Sequence, residues 1–153
     1  MLMRLLVVLA VLPLAVPAVA LAAPAQKLTL TMTDFAFTPK AVAVKAGAAV
    51  ELTLINKGAV QHEFMLYTPL GNMGMTMDMD AWGAESTYFK GIGTVEVVSD
   101  GRTSRTSGME RVMVDPGKSV TVRFVAKRTG TFEFGCHITG HYEAGMKGAL
   151  TVK

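Results

Sequence analysis

The sequence contains only one cysteine, Cys136, among its 153 residues. A chain with a single cysteine cannot form an internal disulfide bond, so this thiol is free, bridges to another molecule or binds a metal. Small folds stapled by disulfides are therefore excluded. The residues around Cys136 must therefore be used to distinguish a free thiol, an intermolecular bridge and a metal ligand.

A strong excess of either charge is also missing. The chain carries 15 basic and 12 acidic residues, and aromatic residues make up only 7% of it. Nucleic-acid-binding proteins usually concentrate Lys and Arg on one face and interleave them with aromatic residues, whereas the basic residues here are scattered. We therefore expect no nucleic-acid partner.

Common catalytic motifs are absent as well. The sequence has no glycine-rich phosphate loop, no Gly-x-Ser-x-Gly elbow and no His-Glu-x-x-His pair. These motifs carry phosphoryl transfer, acyl transfer and zinc-dependent hydrolysis. We therefore expect that the protein is not an enzyme.

Long apolar runs are missing except near the N-terminus. Residues 5–20 are almost wholly apolar, follow the basic residue Arg4 and lead into the small-x-small pattern of residues 20–22. Because the run is short and contains Pro13 and Pro17, it predicts a signal peptide at residues 1–22, cleaved after Ala22, and a periplasmic or extracellular protein. Loss of Arg4 lowers the formal net charge from +3 to +2. A retained N-terminal anchor is the alternative.

Apolar and polar residues alternate with a period of two over most of the remaining chain. The alternating segments are 27–32, 41–44, 50–55, 62–66, 111–114, 119–125, 131–134 and 149–152. Seven or eight short strands without a convincing helix predict an all-β fold, an antiparallel Greek-key sandwich or barrel. We expect one domain at residues 23–153, interrupted by a Met- and Gly-rich insertion at about 67–108 that is functional or partly disordered.

The residues after the predicted strand 131–134 carry the main chemical signal. Cys136, His141 and Met146 follow one another with four residues in each gap. With a second imidazole, they form the His2Cys set with a long axial Met that is typical of electron-transfer copper sites. His62 is the natural second imidazole, because it is the only histidine outside this loop. The alternatives are an inert core thiol and a capping or surface histidine.

At these residues the chain resembles the cupredoxins, the family of plastocyanin, azurin and their bacterial relatives. The resemblance covers essentially residues 23–153, and its loop spacing is similar to that of the rusticyanin and auracyanin types. It rests on His62, His141 and the segments 35–39, 44–47, 50–56, 130–136 and 146–148. It implies one type 1 copper ion, bound by ring nitrogens of His62 and His141 and by the Cys136 sulfur, with Met146 axial. It also implies a monomer that transfers single electrons to a redox partner protein by Cu(I)/Cu(II) cycling.

Two residues, Glu63 and His137, directly follow predicted ligands in the sequence. Many cupredoxins have Asn or Ser directly after the first histidine, where it steadies the cysteine loop, but this chain has Glu63. A carboxylate there is expected to change the hydrogen bonds around the metal and hence its potential and colour. His137 follows Cys136 directly, and we expect it to point away from the metal because neighbouring residues on an extended loop face different directions.

Four methionines alternate in the predicted insertion: Met73, Met75, Met77 and Met79. Thioethers prefer Cu(I), so these residues are candidates for a second copper site. They favour an alternative function, a periplasmic copper-handling or copper-tolerance protein that sequesters copper or passes it to a copper-trafficking protein. A strand with a methionine-lined face, or a slack loop, would give the same pattern.

Overall fold

The computed structural model describes residues 23–69 and 79–153, so the predicted signal peptide at residues 1–22 lies outside the described residues. The described parts of the chain form eleven strands and one helix. In chain order, these are β1 (Gln26–Thr33), β2 (Ala36–Thr38), β3 (Ala41–Val44), β4 (Ala49–Asn56), β5 (His62–Tyr67), α1 (Met79–Ser86), β6 (Val95–Ser99), β7 (Arg102–Thr106), β8 (Arg111–Val114), β9 (Ser119–Val125), β10 (Gly130–Gly135) and β11 (Lys147–Val152).

The strands form two sheets that enclose a common core. The first sheet has the order β2-β1-β4-β9-β6-β7, and the second has the order β3-β11-β10-β5-β8. The predicted all-β sandwich class is confirmed. Our expectation of purely antiparallel sheets was wrong, because β1 pairs with β4 and β3 pairs with β11 in parallel. A tight hairpin cannot join two parallel strands, so a longer crossover connection is needed. In both parallel pairs here, the chain between the two strands includes at least one strand of the other sheet.

The core reflects the alternation that predicted the strands. Along β4 the residues facing the second sheet are buried and those between them are partly exposed. Phe37 of the first sheet packs edge to face on Phe134 of the second, with ring centroids 5.2 Å apart. Truncating such a buried ring usually costs about 3–5 kcal/mol. Because Phe134 lies two residues before Cys136, this packing also fixes the end of β10, where the cysteine loop begins.

The helix α1 was not predicted, and it covers the outer face of the second sheet. Trp82 of α1 packs on Tyr67 of β5 with ring centroids 4.6 Å apart, and together with Met65 the two form a small buried cluster separate from the main core. The helix has only eight residues and almost no apolar stripe, so its periodicity does not predict a helix. No helix in the described residues is long and apolar enough to cross a bilayer.

Three strands, β2, β6 and β7, were also not predicted. β2 has three residues, and β7 is an edge strand whose residues are nearly all exposed. An edge strand exposed on both faces has no apolar alternation to reveal it. β6 and β7 form an antiparallel hairpin at the far edge of the first sheet from β2.

Candidate metal centre

His62 is the first residue of β5 and follows a loop that a buried asparagine holds in shape. The Nδ2 atom of Asn56 donates to the carbonyl oxygens of Val60 and Val114, at 2.8 Å in both cases. Its Oδ1 atom accepts a hydrogen bond from the backbone N–H of Gly58, also at 2.8 Å. The side chain therefore ties the loop to β8 and fixes the point where β5 begins.

Cys136, His141 and Met146 lie in the loop that joins the antiparallel strands β10 and β11. The backbone N–H of Cys136 donates to the Met146 oxygen at 3.1 Å, and that of Met146 donates to the His141 oxygen at 3.0 Å. The His141 N–H donates in turn to the oxygen of Ile138 at 2.9 Å. These bonds hold the two ends of the loop together and fold its middle back on itself.

The fold brings three of the four predicted ligands into one group. One donor atom from each of His62, Cys136 and His141 lies within 4.8 Å of the other two. The Nδ1 atom of His141 lies 3.3 Å from Nδ1 of His62 and 3.3 Å from Sγ of Cys136. His62 and Cys136 are fully buried, and His141 is 8% exposed. Two imidazoles and a thiol around one point are the donor set that suits copper, so these residues fit the ion.

Met146 is fully buried next to this group. Its backbone is hydrogen-bonded to the backbones of both Cys136 and His141, and its side chain belongs to the main core. Met146 directly precedes β11, whose first residue Lys147 pairs with Gly135 of β10. The structure therefore has the fourth predicted ligand at the same end of the sandwich as the other three.

The buried site disfavours charge on its own side chains. Burial raises the pKa of the Cys136 thiol, although hydrogen bonds from the backbone of Glu63 and Ile138 oppose this. The Glu63 N–H lies 3.3 Å from the sulfur. Burial, and then the neighbouring His141, lower the pKa of His62. A cation that binds here would offset the cost of a buried thiolate, which is how metals bind protein thiols.

Glu63 holds the cysteine loop, which is the role that Asn or Ser has in many cupredoxins. The residue is only 4% exposed, and its Oε2 atom accepts a hydrogen bond from the backbone N–H of His137 at 2.9 Å. Its Oε1 atom lies 3.3 Å from Nη1 of Arg111 on β8. The sequence predicted that Glu63 would alter the hydrogen bonds here but did not identify Arg111 as its counter-ion.

The ring of His137 is directed away from the three-residue group and into an aromatic cluster. Its Nε2 atom lies 2.9 Å from the Tyr67 hydroxyl, and its ring stacks on Tyr142 with centroids 4.6 Å apart. The hydroxyls of Tyr67 and Tyr142 both donate to Oε1 of Glu133, at 2.8 and 2.7 Å. Burial raises the pKa of Tyr67 and lowers that of His137. Sequence reasoning missed this cluster, because its members come from three separate segments.

Two further residues at the site were not predicted. Asp34 and Phe35 form the turn between β1 and β2, and each of them contacts one of the two histidines. The sequence offered only a weak signal, since Phe35 begins one of the segments that resemble the cupredoxins. The contacts themselves depend on how the two sheets pack.

The proposed second copper site is largely beyond the described residues. Met73, Met75 and Met77 lie in residues 70–78, which fall outside them, and Met79 is the first residue of α1. The methionine hypothesis therefore stays a prediction.

Comparison with known proteins agrees with this site. A family model described as copper binding proteins, plastocyanin/azurin family, matches residues 24–153. The copper-resistant cuproprotein CopI of Pseudomonas aeruginosa is 32% identical over 138 residues, which cover 84% of this chain and 76% of that protein. The protein of the same name from Rubrivivax gelatinosus is 30% identical over 134 residues, which cover 86% of this chain and 70% of that protein.

Solved structures agree with the fold. Auracyanin B has a TM-score of 0.58 and 26% identity, and the match covers 86% of this chain and 91% of that one. The dithionite-reduced auracyanin of Roseiflexus castenholzii has a TM-score of 0.56 and 23% identity, over 86% of this chain and 99% of that one. The buried His62, Cys136 and His141 site could bind one copper ion. The resemblance noted in the sequence is thus confirmed, and the chain belongs to the plastocyanin/azurin family of copper-binding proteins, the cupredoxins.

Proposed function

We propose that the protein binds one copper ion through His62, Cys136 and His141, with the Met146 thioether as a weaker axial ligand, and that it serves copper tolerance. The single observation that carries the copper site is the convergence of two imidazoles and one thiol in a buried pocket. The physiological role is supported by two relatives, each at least 30% identical and named as a copper-resistant cuproprotein.

The protein's own residues explain how such a site would hold its metal. The Nδ1 atom of His141 already faces both Nδ1 of His62 and the Cys136 sulfur, so binding needs little rearrangement of the chain. The Glu63 N–H donates to the sulfur and would stabilise its thiolate form. Burial excludes water and competing ligands. In this kind of ligand set, copper exchanges one electron between Cu(I) and Cu(II).

In a tolerance role, copper is the cargo rather than only a resident cofactor. A buried thiolate and two imidazoles would withhold the ion from other thiols, and the four methionines of residues 73–79 would add soft ligands for Cu(I). A copper-trafficking protein would then be the partner. The predicted signal peptide supports a periplasmic or extracellular location, where such capture would take effect.

Electron transfer is the second candidate function. It is favoured by the position of His141, which is the only one of the three grouped side chains that reaches the surface. Phe35 and Val60 are large apolar residues that are 47% and 44% exposed, and Phe35 packs on the His141 ring. A redox partner protein could dock on this apolar end. In either role we propose a monomer that does not act as an enzyme.

The copper site is tested by loading the purified protein with Cu(II) and recording its visible spectrum. We expect intense thiolate-to-copper charge-transfer absorption that disappears in Cys136→Ser. His137→Asn is the matched control, because it removes the neighbouring imidazole and should leave the band in place. Absorption that persists in Cys136→Ser would refute the ligand assignment.

The physiological role needs a separate experiment in cells. A deletion strain should grow poorly on excess copper while keeping its respiratory rate, if copper tolerance is the main role. A slowed respiratory rate with normal growth on copper would favour electron transfer instead.

A further inference from the structure

Both histidines of the candidate metal centre contact one turn of the opposite sheet. Asp34 and Phe35 connect β1 and β2 in the first sheet, whereas His62 begins β5 in the second sheet. Asp34 Oδ1 lies 3.5 Å from Nε2 of His62. The ring centroids of Phe35 and His141 are 5.0 Å apart, with an interplanar angle of 89°.

We propose that the Asp34–Phe35 turn is a clamp that orients both imidazoles for copper and sets how tightly the ion is held and how fast it leaves. The two residues would be positioning residues, because they touch the histidines and not the metal. This inference rests on the proposed copper site and adds a control on copper release to it.

The two ring nitrogens of His62 face different groups. Nδ1 faces His141, while Nε2 is buried and forms no hydrogen bond within the described residues, although Asp34 Oδ1 lies 3.5 Å away. When Nδ1 binds a metal, the ring proton resides on Nε2, so this atom becomes a donor in need of an acceptor. Metal-bound histidines usually donate that proton to a carboxylate, a carbonyl or water, and the bond fixes both the tautomer and the ring orientation. The Asp34 carboxylate is positioned to accept it.

Asp34 is held at this position although its side chain is 45% exposed. Its Oδ1 atom accepts a hydrogen bond from the backbone N–H of Ala59 at 3.0 Å. A Cβ atom at Gly58 would lie 2.8 Å from the His62 Nε2 atom and closer still to Asp34 Oδ1. The loop before β5 therefore passes close to both the carboxylate and the ring, and only glycine leaves space for this approach.

Phe35 adopts a backbone conformation that is costly for its residue type. Its φ angle is +67°, in the left-handed region that bulky side chains rarely occupy. Such strain is retained where the surrounding structure or the function requires it. Burial of the ring does not account for the strain, because the residue is 47% exposed. The ring instead covers His141, the least buried of the three grouped residues, and shields it from solvent and from competing ligands.

The clamp is tested with two substitutions in the copper-loaded protein, Asp34→Asn and Phe35→Asn. Asparagine tolerates positive φ, so the second change removes the ring while keeping the turn. We expect each variant to lose about tenfold or more in copper affinity, as substitutions of residues that orient metal ligands usually do. Transfer of Cu(I) to a competing chelator should speed up by a similar factor. Phe35→Tyr keeps the ring and should restore the unaltered rate.

Asp100→Asn is the matched control. Like Asp34, Asp100 is an exposed carboxylate in a two-residue turn between adjacent strands, but this turn lies at the opposite edge of the first sheet. The Cu(II) electron paramagnetic resonance spectrum should change in both clamp variants and not in the control, since only the clamp alters the ligand field.

Three outcomes would overturn the proposal. A normal charge-transfer band with unchanged affinity and release in both variants would overturn the clamp and leave the copper site standing. Absence of the band in the unaltered protein would overturn both. A fall in the thermal midpoint of the metal-free variants that accounts for the lost affinity would make the turn a structural element only.

Discussion

Replacing Glu63 with alanine removes a buried carboxylate that holds the cysteine loop, so its cost can be worked out from two contacts. A charge-assisted hydrogen bond, such as the one from the His137 N–H at 2.9 Å, contributes roughly 1.5–3 kcal/mol. The ion pair with Arg111 adds about 0–1 kcal/mol, because the Arg111 side chain is 37% exposed and screened by solvent. We therefore expect Glu63→Ala to lower the free energy of unfolding by about 1.5–4 kcal/mol.

Glu63→Gln separates the hydrogen bond from the charge. The amide oxygen of glutamine can still accept the bond from the His137 N–H, so the expected loss is only about 1 kcal/mol. Both values are measured by urea unfolding of the metal-free protein, with the slope of the transition checked for two-state behaviour. The reduction potential should rise in both variants, because removal of a negative charge near the site disfavours Cu(II) more than Cu(I).

Glu85→Ala is the control, since this carboxylate pairs with Lys90 on the surface and its side chain is 78% exposed. Its loss should change the free energy of unfolding by less than about 0.5 kcal/mol. Equal destabilisation by Glu63→Ala and Glu63→Gln would refute the reasoning, because it would mean that the charge and not the hydrogen bond holds the loop. A loss no larger than that of the control would mean that neither does.

Three further predictions concern the metal. Met146→Leu should retain copper and colour while raising the reduction potential, measured by redox titration, because loss of a weak donor disfavours Cu(II) more than Cu(I); complete loss of copper would contradict an axial role. Gly58→Ala should weaken copper binding in a chelator competition, because the added Cβ would push Asp34 away from His62; unchanged affinity would mean that the loop yields freely. Reduced protein should take up more than one Cu(I) per chain, and the excess should vanish when the four methionines of residues 73–79 are changed to leucine, which keeps their bulk. A stoichiometry of one, unchanged by the substitutions, would leave the methionines without a ligand role.

Much of the fold could be predicted because a half-buried strand records its environment in alternate residues. Val50, Leu52 and Leu54 of β4 are buried, and the pattern of the sequence marks them. The helix α1 left no such record, because it is short and its apolar residues form almost no stripe. The edge strand β7 left none either, because both of its faces meet solvent. Parallel pairing was missed because it depends on crossovers between the sheets and not on local pattern.

The sequence by itself determined the chemistry of the site. One thiol, one imidazole and one thioether in a short loop between strands are so restrictive a set that copper could be inferred from residue types and spacing. His62 could be proposed as the second imidazole because it is the only one of the three histidines outside the cysteine loop. These are properties of composition and local order, which do not need the folded chain.

Only the tertiary structure decided how the site is held. His62 and His141 are 79 residues apart, and their approach to 3.3 Å depends on the pairing of strands in the second sheet. Asp34 and Phe35 reach the same histidines from the first sheet, so no local pattern marks them. From the sequence alone, a turn residue such as Phe35 could face the metal site, the solvent or the core. The packing of the two sheets removes that ambiguity, because it brings one particular turn against one particular pair of rings.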